Sequence, residues 1–184
     1  NLKGSRKQGI AMIEALKMGA LHNDVGPSVM RGDRFHWYSS TGWIMWNSQV
    51  GVLLGGSTIC IFDGSPAGPH GAPDWGLLWR FAGLARCSFF GAGAAFYASC
   101  LKAGVEPQSV ADLSALLAVG STGSPLSEDC YRWVWDKLPK VNGRDIDPAA
   151  VDWGSADMRN FHFYQPPGGG NVLGIVKFAF PNKH

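Results

Sequence analysis

The sequence predicts an α/β fold, a mostly parallel sheet flanked by helices. Three observations carry that reading. Short apolar runs bounded by glycine or turn residues recur at Thr58–Phe62, Cys87–Phe90 and Leu116–Val119, which is the pattern of strands buried on both faces. Segments with helical spacing follow these runs, at Trp75–Arg86, Ala94–Lys102 and from Ser127 onward. The loops between them are short and rich in Gly, Pro and Ser. Strand, helix, strand, helix at this rhythm implies parallel pairing with crossover helices.

The elements follow in order. Residues 1–8 are polar and basic without periodicity and read as a flexible lead-in. Ile13, Leu16 and Ala20 share one face of a helix expected over Ile10–Leu21, which ends before the turn signals His22 to Pro27. Phe35–Tyr38 is aromatic and strand-like. A strongly apolar helix follows from Trp43 to Leu54, ended by Gly55-Gly56, and Thr58–Phe62 reads as the clearest strand. Gly91-Ala92-Gly93 reads as a loop after the Cys87–Phe90 strand, and Val105–Leu113 as a connector. In the last unit, Leu116–Val119 is the strand and Gly120 to Pro125 the loop. Ser127 is placed as an N-cap, with Glu128 and Asp129 in the first turn, and Tyr131, Val134, Trp135 and Leu138 share a face. Residues 9–140 thus form one α/β subdomain, and residues 141–184 a divergent tail without a clear connection to it.

Composition narrows the function classes. A formal charge of +2 with no Lys/Arg cluster gives no footprint for nucleic acid or an anionic membrane. Charged residues make up only 16% of the chain, below the usual quarter or so, which implies surface covered by something else. Cys60, Cys87, Cys100 and Cys130 lie far apart, without metal-ligand spacing, and read as reduced, buried thiols of a cytoplasmic protein.

Three separated segments resemble one family. Gly-Asp-Arg-Phe-His-Trp-Tyr-Ser-Ser-Thr-Gly-Trp-Ile-Met-Trp-Asn ending at Asn47, Phe-Asp-Gly-Ser-Pro ending at Pro66, and Gly-Ser-Thr-Gly-Ser-Pro-Leu-Ser ending at Ser127 resemble, in order and spacing, the adenylate-forming acyl-CoA synthetases. The acetoacetate-activating branch is the nearest match. The resemblance implies the large domain of a ligase that uses ATP, coenzyme A and Mg, and a small carboxylate. The carboxylate is joined to AMP, pyrophosphate leaves, and the thiol then displaces AMP.

Carried over by position, Gly123, Ser124 and Pro125 line the adenine pocket. The plainer alternative is that this loop only turns the chain into the next helix. Gly42 and Trp43 fall beside the acyl group and thiol channel, where a large ring would favour a short acid. Core packing is the alternative for Trp43 and the preferred reading for Trp46. Asn47 either faces the same pocket or solvent.

The sequence also departs from the family. Residues 1–8 supply no Ser/Thr/Gly-rich phosphate loop ending in Pro-Lys; Gly4-Ser5-Arg6-Lys7 is the nearest remnant. Gly154-Ser155-Ala156-Asp157 stands where a phosphate- and metal-holding motif is expected, with Ala156 in place of the hydroxyl and Asp157 as the candidate acid. No catalytic residue and no metal ligand is assigned. The expectation is a segment of a synthetase, inactive by itself, whose partners are the rest of the enzyme or a second copy. The rival is a non-catalytic adenine-nucleotide-binding or interaction module. His36 lacks a Ser, Cys or carboxylate partner in any motif and reads as structural, Asp63 as a turn cap, and Cys130 as a buried thiol.

Overall fold

The computed structural model describes residues 2–69 and 71–139. Helix α1 (Leu2–Lys17) widens into a π turn over Met18–His22. After a one-turn helix α2 (Ser28–Arg31), strand β1 (Arg34–Trp37) enters the core, and α3 (Ile44–Gly51) runs on as a 3₁₀ turn over Val52–Gly55. Then come β2 (Thr58–Ile59), α4 (Leu77–Leu84), β3 (Phe89–Gly93), α5 (Ala94–Lys102), the short α6 (Pro107–Val110), β4 (Ala118–Thr122) and α7 (Glu128–Lys137).

The strands form a four-stranded sheet in the order β2-β1-β3-β4, and every pair is parallel. The expected α/β architecture is therefore present, and its pleat divides the core. Phe35, Trp37 and Phe89 point to one face, where they cluster with Val25 and Val52. Phe90 and Ala92 point to the other, where they pack with Leu78, Trp79, Phe96, Tyr97 and Trp133 of α4, α5 and α7. Alternation along each strand follows from the two-residue period of the pleat.

Register explains why two expected loops are strand. Trp37 pairs with Gly91, and Gly91 pairs with Gly120. A Cβ on Gly91 would lie 2.2 Å from the Trp37 ring and one on Gly120 would lie 2.5 Å from it. The indole therefore lies across two glycines of neighbouring strands, and β3 and β4 continue through residues that sequence punctuation assigns to turns. These glycines make room for a ring.

Other boundaries also differ. The helix expected from Ile10 begins at Leu2, so the segment expected as a lead-in belongs to α1. Strand β2 has only two residues, although the Cys60 amide adds a 2.8 Å bond to the Phe35 carbonyl. It is an edge strand, and Ile61 beyond it is exposed. Helix α7 buries Cys130 and Trp133 rather than Trp135, which is 48% exposed. Its apolar arc is wide enough for either rotation, and the Trp133 ring meets Trp79 at 6.2 Å, a long-range contact that periodicity cannot reveal. The N-cap stands as expected: the Ser127 hydroxyl accepts from the Cys130 amide at 3.3 Å. All four cysteines are free and buried.

Replacing Gly120 with Ala forces its methyl against Trp37 and is expected to cost about 1–3 kcal/mol of unfolding free energy. Gly9→Ala, in α1 with nothing within 4 Å of the new methyl, is expected to stabilise by up to about 1 kcal/mol. Urea denaturation of the two variants checks the contrast.

Candidate functional site

Because the strands are parallel, their carboxyl ends lie along one edge of the sheet. The connection leaving β1 leads through α3 to β2 on one side, while that leaving β3 leads through α5 to β4 on the other. The edge between β1 and β3 is thus the point where connections diverge, the place where open α/β sheets bind ligands.

Both predicted site segments leave this edge. Thr41, Gly42 and Trp43 lie between β1 and α3, and Gly123 to Pro125 lie between β4 and α7. Strands β1 and β4 are two ladder spacings apart, about 10 Å. Trp43 is 70% exposed and outside both core clusters of the described residues, while Trp46 is half-buried and Asn47 exposed. Asp157 lies outside the described residues, as do the tail strands expected beyond Asp145.

The loop after β4 is open. Gly123 has φ +91°, in the region that costs a side-chain-bearing residue backbone strain, and no atom lies within 4 Å of where a Cβ would stand. Gly123, Ser124 and Pro125 are all exposed. Beneath them the Tyr97 hydroxyl donates to the Gly120 carbonyl at 2.8 Å and clamps the strand end. Burial pushes that phenol's pKa well up, so it stays protonated and keeps donating. The Ser121 hydroxyl is buried near the end of β4 and has no hydrogen-bond partner among the described residues. A flat ring can therefore approach this backbone closely.

The groups holding this edge were not singled out from the sequence. Trp37 spans β3 and β4, and the Tyr38 hydroxyl donates to the Gly64 carbonyl at 3.0 Å, tying the loop after β1 to the loop after β2. The available signal was Gly91 and Gly120 at equivalent places in successive strand–helix units.

His36 is buried in the core. It is 1% exposed, and its Nδ1 donates to the Cys60 carbonyl at 2.7 Å, which leaves Nε2 without a partner among the described residues, against Phe81 and Phe90. Burial holds its pKa below the ordinary 6.5 despite that bond.

Among the described residues, no group of three or more His, Cys, Asp or Glu side chains could hold a metal ion. A cavity of about 380 Å³ lined by Asp74, Trp75, Gly104 and Glu106 involves none of the predicted site residues. Among the described residues, no helix is long and apolar enough to cross a membrane.

No family profile matches the chain. Whole-chain comparisons are informative. Acetoacetyl-coenzyme A synthetase of Rhizobium meliloti is 33% identical over 124 residues, which are 67% of this chain and 18% of that protein. Acetoacetyl-CoA synthetase of Gallus gallus is 32% identical over 130 residues, 71% of this chain and 18% of that protein. The solved acetoacetyl-CoA synthetase from Streptomyces lividans superimposes with a TM-score of 0.61 at 48% identity, covering 68% of this chain and 18% of that one. The chain belongs to the acetoacetyl-CoA synthetases. It corresponds to a segment of the larger enzyme and spans about a fifth of the length of these relatives. Fold and family resemblance therefore agree for this acetoacetyl-CoA synthetase segment, whose parallel sheet is that of the synthetase domain.

The buried neutral imidazole sets a pH dependence. An unfolded chain protonates His36 near pH 6.5 and the folded chain only at lower pH, so its contribution is complete above about pH 6.5 and is lost as pH falls. Unfolding free energy is expected to decrease from about pH 7.5 to about pH 5.5, and to decrease less in His36→Phe. Denaturant titrations at the two pH values measure the difference.

Proposed function

We propose that this segment supplies the adenine side and part of the acyl side of an AMP-forming acid–thiol ligase whose acid is acetoacetate or a similarly short carboxylate. The observation that carries the reading is the open Gly123-Ser124-Pro125 loop at the carboxyl end of β4, in a chain related to acetoacetyl-CoA synthetases. In the parent reaction the acid attacks the α-phosphate of ATP, pyrophosphate leaves, and the thiol of coenzyme A displaces AMP from the acyl-adenylate.

The roles follow from side-chain chemistry. The positive φ of Gly123 turns the backbone so that a planar base can rest against it, and Pro125 offers a rigid apolar surface. Exposed Trp43 would close the acyl pocket against longer chains, with Gly42 allowing close approach and Asn47 adding a polar contact. Asp157 is kept as the proposed phosphate-side acid.

The 184 residues by themselves are proposed not to catalyse adenylation. They contain no Ser/Thr/Gly-rich loop ending in Pro-Lys, and the described residues offer no group of His, Cys, Asp or Glu side chains to hold a metal ion against charge developing on the α-phosphate. Such electrostatic stabilisation ordinarily supplies most of the rate of phosphoryl chemistry. Coverage by the remainder of a synthetase, or by a second copy, also accounts for the exposed Ile10, Ile13, Leu21, Val29, Met30, Ile44 and Leu84.

Purified chain is expected to give no acetoacetate-dependent ATP–pyrophosphate exchange above a blank, while AMP raises its melting temperature. Gly123→Val, which strains the loop backbone and fills the space above it, is expected to weaken AMP binding by tenfold or so. Exchange activity in the isolated chain would refute the division of labour, and unchanged AMP affinity in Gly123→Val would remove the adenine assignment. An AMP-induced shift without exchange also fits the rival reading of a non-catalytic nucleotide-binding module, which a synthetase carrying both flanking parts would distinguish by recovering exchange.

A further inference from the structure

The ladder between β1 and β2 stops short of the next bond that its register dictates. Arg34 pairs with Thr58 and Phe35 with Ile59, the Thr58 amide donating to the Asp33 carbonyl at 3.3 Å and the Cys60 amide to the Phe35 carbonyl at 2.8 Å. In a parallel ladder the Trp37 amide would donate next, to the Cys60 carbonyl. The Tyr38 amide faces the other neighbour, the Gly91 carbonyl of β3 at 2.7 Å, so the Trp37 amide is the one that points to the β2 side.

Two side chains take the place of that bond. Gln49 Oε1, on α3, accepts from the Trp37 amide, and His36 Nδ1 donates to the Cys60 carbonyl at 2.7 Å. Both side chains are buried, Gln49 at 2% exposure. Unpaired backbone groups are costly in a core, so these side chains let β1 and β2 part at the carboxyl edge with both groups satisfied. The Gln49 bond also joins residues 12 apart in sequence. The chain between them is the loop after β1 and the start of α3, which carries the exposed Gly42 and Trp43. One buried bond therefore ties the two stems of that loop. Within the loop the Trp43 amide donates to the Ser40 carbonyl at 3.1 Å, a local turn that does not anchor it to the sheet.

We propose that Gln49 is the positioning residue of the acyl side: by pinning α3 to the end of β1 it sets where Gly42 and Trp43 stand at the sheet edge. The inference rests on the reading of those two residues as acyl-side contacts. Gln49 is too buried to meet a ligand and acts through the loop whose stems it joins. A side chain of similar length without the oxygen leaves the Trp37 amide without its acceptor and frees α3 to shift against β1, whereas a carboxyl in the same place keeps the acceptor. The adenine side is held by a separate bond, from the Tyr97 hydroxyl to the Gly120 carbonyl at 2.8 Å. A change at Gln49 therefore reaches the acyl side and spares the adenine side.

The test uses the full chain, ¹⁵N-labelled, with acetoacetate and AMP titrated separately. Gln49→Met is expected to weaken acetoacetate binding, read at the Trp43 indole, by about tenfold and to leave AMP affinity unchanged. Gln49→Glu is expected to bind acetoacetate nearly as the wild type does. Loss of both affinities together in Gln49→Met, as a general loosening of the fold would give, overturns the proposal, as does a Gln49→Glu variant no better than Gln49→Met. If Gln49→Met does not fold, the wild type carries the test: the Gln49 side-chain amide resonances are expected to shift with acetoacetate and stay in place with AMP, and the reverse pattern or no shift overturns the assignment. A wild-type Trp43 indole that ignores acetoacetate refutes the acyl-side reading and the positioning role together. A wild-type response with unchanged acetoacetate affinity in Gln49→Met refutes the positioning role alone.

Discussion

The contact on which the rest of this structure depends is the Trp37 indole lying across Gly91 and Gly120. It is 7% exposed and roofs one face of the sheet at its carboxyl edge, stacked with Phe89 at 6.0 Å between ring centres. Any side chain on either glycine would collide with it. The ring therefore fixes the registers of β1, β3 and β4 together, and register decides where each strand delivers its loop. The Tyr97 bond to the Gly120 carbonyl secures the same point from the opposite layer.

This arrangement separates rigidity from openness. Below the edge, Trp79, Phe90, Phe96, Tyr97 and Trp133 form a continuous aromatic packing with ring centres about 5–6 Å apart. Above it, Trp43 and the Gly123 loop are exposed. A binding site built this way takes its precision from the strands and its access from the loops. The same partition explains why the proposed adenine contact involves backbone and a single proline rather than a set of charged side chains.

Much of the fold was legible because buried parallel strands and amphipathic helices leave strong local signals. The Ser127 cap, the Ala94–Lys102 helix and the alternation of strands and helices needed only neighbouring residues. Gly91 and Gly120 were misread as loop glycines because their reason for being glycine, the Trp37 ring, lies dozens of residues away in sequence. Helix α7 was rotated wrongly for a related cause, since Trp79 selects Trp133 only after folding. The motifs of the candidate site were legible, and their shared edge follows from the parallel sheet, whereas the Tyr38–Gly64 tether depends on a tertiary contact and left no local trace.

The central claim is that nucleotide meets this chain at the carboxyl edge of β4. It is tested most directly by titrating AMP into uniformly ¹⁵N-labelled chain and following backbone amides. The account predicts the largest, saturable shifts at Gly120 to Ser124, with the Trp43 indole responding to acetoacetate instead. Shifts centred on Asp74–Gly76 and Ala103–Glu106 around the remote cavity, or none at saturating AMP, would contradict it.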